Sequence, residues 1–284
     1  MFFNKLFIIL IFQVLAFTAI TFGQSSVKMG KVSNASIQEI SGIVPYTYQR
    51  GYFWVHNDSG DGAYIYLIDS LCNIKSRVHL KGINVVDCED IARIEVEGVH
   101  YLILGDIGNN IRDREILSFY IIEEPKMNLS EKELAVDVFK RIDFKYQDKR
   151  RDTEAFFVDP ITKELFLISK RDFESTVFSF KLDFGIKETQ ILNPILTLPF
   201  TFTTTSDISP DGKYLVIKNL TNVYLWERPD NKSIIQTLKG KPLKIPYIIE
   251  PQGEAICFDL IERHIYTISE RPFGLDSYLY KYNY

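Results

Sequence analysis

Five short starts recur along the chain: Ser41-Gly42-Ile43, Glu89-Asp90-Ile91, Glu154-Ala155-Phe156, Ser206-Asp207-Ile208 and Glu254-Ala255-Ile256. Each opens on an oxygen-bearing side chain and runs into apolar residues. If Ser41, Glu89, Glu154, Ser206 and Glu254 meet in one place, three carboxylates and two hydroxyls converge. Such a set repels itself unless it is protonated or neutralised. Ca²⁺ takes its ligands from carboxylates, hydroxyls, carbonyls and water, so it suits the set. Zinc would call for imidazole or thiolate, which these positions lack. The same side chains could instead hold backbone amides where one repeat passes to the next, and the sequence leaves both readings open.

A second apolar run follows each start and ends in a polar loop. These loops carry Asn57 and Asp58, Asp106 and Asn109, Lys170 and Arg171, Lys218, and Glu270 with Arg271. Arg171, Lys218 and Arg271 are candidate phosphate contacts. Asn57, Asn109, Lys170 and Glu270 are further candidate ligand contacts. Asp58 and Asp106 are the candidate catalytic residues, placed to orient water or metal. They lie in the Gly-rich stretches Asn57-Asp58-Ser59-Gly60 and Gly105-Asp106-Ile107-Gly108-Asn109-Asn110, whose backbone permits close ligand approach. The plainer reading is of solvated loop ends that pair as surface ion pairs worth little.

The starts recur about every 50 residues, which is the signature of a β-propeller. Runs such as Tyr64-Ile65-Tyr66-Leu67-Ile68 supply its strands. Four repeats can be divided into four strands each; the longer second one holds a polar insertion, Glu123 to Asp137. The fifth repeat has only three, Ala255 to Asp259, Ile265 to Ser269 and Tyr278 to Tyr282. The lone strand Val27 to Ser36 can complete it and close the ring. The expected fold is therefore all-β, a five-bladed β-propeller of four-stranded blades, with a six-bladed ring as the alternative. Outer strands are expected at Gln190 to Leu198 and Ile234 to Leu238, and the best helical pattern is at Ser130 to Ala135.

With 284 residues, 46% hydrophobic content and a net charge of −4, the chain can bury one large core. Its charge gives no reason to expect a nucleic-acid polymer or an anionic membrane as partner, and it is compatible with a cation. Lys5 and the apolar run from Leu6 to Leu15 fit a secretory signal peptide over residues 1–23, cleaved before Gln24. An uncleaved anchor is the rival reading. Residues 24–284 then form a single propeller domain, secreted or periplasmic and monomeric. Three Cys cannot all pair, and buried reduced thiols are expected at Cys88 and Cys257. No nucleophile elbow, phosphate-binding Gly-Lys loop or His-Glu-x-x-His pair occurs.

Five blades with channel residues in the order Ser, Glu, Glu, Ser, Glu resemble the calcium-activated nucleotidases, the calcium-dependent apyrases. That resemblance implies a central Ca²⁺ held by Ser41, Glu89, Glu154, Ser206 and Glu254, with the Asp58 loop similar to the family's first nucleotide-site loop. It covers about a fifth of the chain. The chain as a whole is more similar to uncharacterised secreted bacterial propellers with Asn-Asp-Ser-Gly, Gly-Asp-Ile-Gly-Asn-Asn and Asp-Thr-Glu-Ala segments, which imply no function. The leading expectation is a Ca²⁺-containing propeller that binds a small anionic ligand at its channel mouth, with phosphate ester or anhydride hydrolysis as the reaction. A non-catalytic domain that binds protein or glycan is the alternative, and lactonase or esterase chemistry is a third.

Overall fold

The computed structural model describes residues 26–284. The expected leader, residues 1–23, lies outside the described residues. Five small sheets form the blades of a β-propeller, and the six-bladed alternative is thereby excluded. The first blade runs from inside to outside through Ile40–Pro45, Tyr52–Asn57, Tyr64–Asp69 and Ile74–Lys81. The second has Cys88–Val96, Val99–Asp106, Leu117–Glu123 and Lys140–Tyr146. The third has Thr153–Val158, Glu164–Ser169, Thr176–Lys181 and Leu196–Thr197. Thr203–Ile208, Tyr214–Asn219, Val223–Glu227 and Leu243–Ile245 make the fourth. In the fifth, Ala255–Phe258, His264–Ile268 and Tyr278–Asn283 are completed by Ser26–Lys31, which pairs antiparallel with Tyr278–Asn283. The N-terminal strand therefore closes the ring as expected.

The blades cohere because alternate residues of each strand pack on opposite neighbours. On Tyr52–Asn57, Phe53 and Val55 enter a cluster with Ala255, Cys257 and Ile268 of the fifth blade. Trp54 between them enters a cluster with Ile91, Leu102 and Leu104 of the second. Phe119 and Phe144 of the second blade meet Phe156 and Phe178 of the third in the same manner. Both faces of a blade are thus apolar, and its inner strands read as continuous buried runs. Fully burying one such side chain contributes about 1.5–3 kcal/mol. Cys72, Cys88 and Cys257 are buried free thiols within these layers.

Three local expectations fail. Ser130 to Ala135 is not helical; Glu133–Asp137 is a strand that joins the first blade, parallel to Ile74–Lys81. The segment Gln190 to Leu198 is split: Gln190–Leu192 pairs parallel with Lys140–Tyr146 of the second blade, while Leu196–Thr197 stays with the third. Ile234–Leu238 is a short α-helix, closed by a capping box in which Ser233 and Gln236 each accept from the other's backbone N–H. The outer strand of the fourth blade is Leu243–Ile245 instead.

Candidate metal centre

The inner strands of neighbouring blades lie side by side around a central channel. Pairing of the first and second strands slips by one residue at the start of four blades, between Ile40 and Gly42, Cys88 and Asp90, Thr153 and Ala155, and Thr203 and Thr205. The skipped residues are Ser41, Glu89, Glu154 and Thr204. A bulge of this kind turns one side chain out of the strand's alternation, which is a common device at barrel rims and binding sites. In the fifth blade Ala255 pairs with Ile268, so Glu254 occupies the matching place. Ser206 pairs with Ile217 and lies two residues further down its strand. The fourth member of the ring is Thr204, whose Oγ1 donates to the Gly253 carbonyl at 3.0 Å. Ser206 is buried and its Oγ has no partner.

At the mouth Ser41 Oγ donates to the Glu89 carbonyl at 2.8 Å and lies 3.4 Å from Glu89 Oε2. Glu89 and Glu154 are almost wholly buried, and burial pushes both carboxyls well above their usual range. Each is raised further by a neighbouring acid, Glu89 by Glu154 and Glu154 by Glu254. Lys170 offsets part of this. Its ammonium contacts Glu154 Oε2 and stands 3.1 Å from Glu254 Oε1. Burial opposes the Lys170 charge, but Glu154 and Glu254 outweigh it and hold the group protonated. Lys170 is thus a member of the ring.

Two further acids join the cluster. Asp87 and Asp152 stand two residues before Glu89 and Glu154, and the sequence reading assigned neither a role. Asp58, Asp87 and Glu89 offer oxygens within 4.8 Å of one another, as do Glu89, Asp152 and Glu154. Glu89 is common to both groups. Asp58 is pushed up to about 8, by burial first and by Asp87 next, and its Oδ1 has no partner. Glu270 is pushed up to about 9 by burial and by Glu254. The repeated Asp-x-Glu in Asp87-Cys88-Glu89 and Asp152-Thr153-Glu154 is the signal that would have found them.

The loops that hold these acids are bound by other candidate residues. Asp106 Oδ1 accepts the Asp87 N–H at 3.0 Å and pairs with Arg114 Nη2 at 2.8 Å. Arg114 also donates to the Gly108 carbonyl, and the Asn109 side chain bonds both the N–H and the carbonyl of Arg114. The Asn109 N–H in turn donates to Asp152 Oδ1 at 2.9 Å. Asp106 and Asn109 therefore fix the Asp87 and Asp152 loops. Asn57 does the same for its own turn, accepting from the Glu39 N–H and donating to Asp61.

The candidate phosphate contacts separate. Arg171 is exposed and pairs with Asp152 Oδ2 at 3.0 Å through Nε. Arg271 is partly exposed, its N–H donates to the Gln38 carbonyl at 2.7 Å, and its Nε has no partner. Lys218 is sealed between the fourth and fifth blades, where its ammonium donates to the Gly253 carbonyl and stands 4.0 Å from Glu250. Burial lowers its pKa to about 8. It does not reach the mouth.

No family model matches this chain. No curated protein matches it either. Among solved structures it is similar to hydrazine synthase of Kuenenia stuttgartiensis, with a TM-score of 0.45 and 12% identity over 84% of this chain and 70% of that one.

Proposed function

We propose that this propeller holds a divalent cation, Ca²⁺, at the mouth of its channel and uses it to bind a small anionic ligand. The observation that carries this reading is the convergence of buried and half-buried carboxyls. Asp58, Asp87 and Glu89 form one group of ligand distance and Glu89, Asp152 and Glu154 another. Among the described residues, Lys170 and Arg171 are the cations that pair with members of these groups. Asp58, Glu89 and Glu154, lifted out of their usual range by burial and by neighbouring acids, are the electrostatic condition a hard, oxygen-seeking cation relieves. Glu89, shared by both groups, is the central ligand, with Asp58 and Asp87 on one side and Asp152 and Glu154 on the other.

A bound Ca²⁺ would supply charge to phosphate oxygens arriving from solvent. Arg171 and Arg271 stand at the rim to meet the same oxygens, and Asp58 is placed to orient water. Hydrolysis of a phosphate ester or anhydride is the reaction this set favours, in a secreted or periplasmic monomer. The test is calcium content and melting temperature of the chain from Gln24, with chelator and with Ca²⁺ restored. We expect about one tightly held Ca²⁺ and a rise of several degrees, and loss of both in Glu154→Gln. Equal melting with and without chelator overturns the metal reading.

A second reading is a non-catalytic binding domain, favoured by the exposed side chains Ile111, Phe173 and Phe273. All three lie on loops that follow second strands, on the same face as the acidic mouth. Turnover of p-nitrophenyl phosphate or of a nucleoside diphosphate by the Ca²⁺-loaded chain, lost in Glu89→Gln, decides against it.

A further inference from the structure

The other end of the channel is lined differently. A cavity of about 290 Å³ opens there, walled by Val44, Val158 and Phe258 and edged by Arg93, Asp207 and Ser209. Val44, Val158, Asp207 and Phe258 lie at the ends of inner strands, Ser209 follows one, and Arg93 stands on Cys88–Val96 before its end. The cavity is separated from the acidic mouth by Asp90, wholly buried, which accepts from the Phe156 N–H at 3.2 Å and the Thr205 hydroxyl at 3.3 Å.

Arg93 is the distinctive residue of the lower end. It is partly buried, and its Nε donates to Thr47 Oγ1 at 3.2 Å. Among the described residues no carboxylate oxygen lies within 4.0 Å of its guanidinium. Asp207 faces the same cavity, but its oxygens are taken up, Oδ1 by the Ile208 N–H and Oδ2 by the Phe258 N–H, both at 2.8 Å. Lys163 is likewise turned to the Glu95 carbonyl at 2.7 Å. The two terminal nitrogens of Arg93 have no hydrogen-bond partner among the described residues. A partly buried guanidinium with no carboxylate paired to it leaves donors unsatisfied beside an apolar wall.

We infer that this lower cavity binds a small organic monocarboxylate with an apolar body, its carboxylate on the Arg93 fork and its body against Val44, Val158 and Phe258. The planar fork matches a carboxylate in bidentate geometry. Inorganic phosphate fits worse, because the carboxylates Asp207 and Glu95 share the rim and a small dianion leaves the apolar wall unused. Size agrees, since ligand sites begin at about 300 Å³.

The probe is 3-phenylpropanoate, titrated calorimetrically into the Ca²⁺-supplemented chain beside 3-phenylpropanamide and inorganic phosphate. Saturable binding with Kd at or below about 1 mM is expected for the carboxylate. The amide and phosphate should bind at least about tenfold more weakly. Arg93→Met should weaken the carboxylate at least about tenfold, and Arg93→Lys, which keeps the charge and loses the fork, about threefold. The Lys variant serves if Met at this position impairs folding. Chelator should leave the titration unaltered, so a failed calcium site and a failed carboxylate site are told apart. Absence of saturable binding, an amide as tight as the acid, tighter binding of phosphate, or an unchanged constant in both Arg93 variants overturns the inference.

Discussion

Gly108 is the residue on which the mouth closes. A Cβ built there would stand 2.3 Å from Glu89 Oε1 and 2.4 Å from an Asp87 carboxyl oxygen, closer than any real side chain tolerates. Gly108→Ala must therefore displace the two carboxylates that belong to one ligand group, while no apolar packing is lost. A calcium titration should show affinity down by about tenfold or more, with metal-free melting changed by less than about 3 °C. Unaltered affinity would place the ion elsewhere. At this scale the sequence was informative about residue type: Ser41, Glu89, Glu154 and Glu254 do share one level of the channel. It was less informative about depth. Thr204 replaces Ser206 because the bulge falls one residue after Thr203, and neighbouring Thr and Ser in Thr203-Thr204-Thr205-Ser206 carry nothing that reveals which is skipped. Lys170 and Lys218 illustrate the same limit. Lys170 follows its second strand and Lys218 is the last but one residue of its own, yet the first is tied to two Glu side chains and the other is walled in by Tyr247 and Glu250.

The elements were legible wherever a strand pairs with its sequence neighbour, because hairpins leave a local trace in turn residues and period-two runs. They were illegible where a segment crosses to another blade. Glu133–Asp137 adds to the outer edge of the first blade, more than 50 residues from its partner by register, Arg77 opposite Glu133. Nothing in its own alternation names that partner. The helix at Ile234–Leu238 was misread because two adjacent Ile favour a strand, and the capping pair Ser233 and Gln236 outweighs them. Glu133–Asp137 shields an edge that would otherwise present unpaired N–H and C=O groups. Replacing residues 126–138 by a short Gly-Ser linker should leave the ring folded and its calcium affinity unchanged, since no ligand candidate is removed. It should also produce concentration-dependent dimers by edge pairing, readable by light scattering. A strictly monomeric deletion variant would show that the edge needs no cover.

The molecule as a whole depends on one closure. The four main strands of each of four blades follow one another along the chain, with Glu133–Asp137 and Gln190–Leu192 added to the outer edges of the first two from further on; the fifth needs the two ends of the described chain to meet. Ser26–Lys31 supplies backbone pairing from Ser26 opposite Tyr282 to Lys31 opposite Tyr278. Lys28 Nζ lies 3.2 Å from the centre of the Tyr278 ring, and the Val32 N–H continues the contact to the Ser277 carbonyl at 3.0 Å. Val32 and Ile37 then enter the apolar layer between the first and fifth blades. Ion pairs such as Lys31 with Asp276 are half exposed and add little. What the strand contributes is closure: without it the fifth blade keeps an open edge, and the layer it shares with the first blade loses part of its cover. Removing residues 24–31 while keeping Val32 should therefore lower the melting temperature by about 10 °C or more. A synthetic peptide of residues 24–33 added in trans should restore part of that loss by strand addition, saturating with peptide concentration. If the shortened chain melts within about 2 °C of the full one, the ring is held by its apolar layers alone. The N-terminal strand would then be an accessory to the fifth blade.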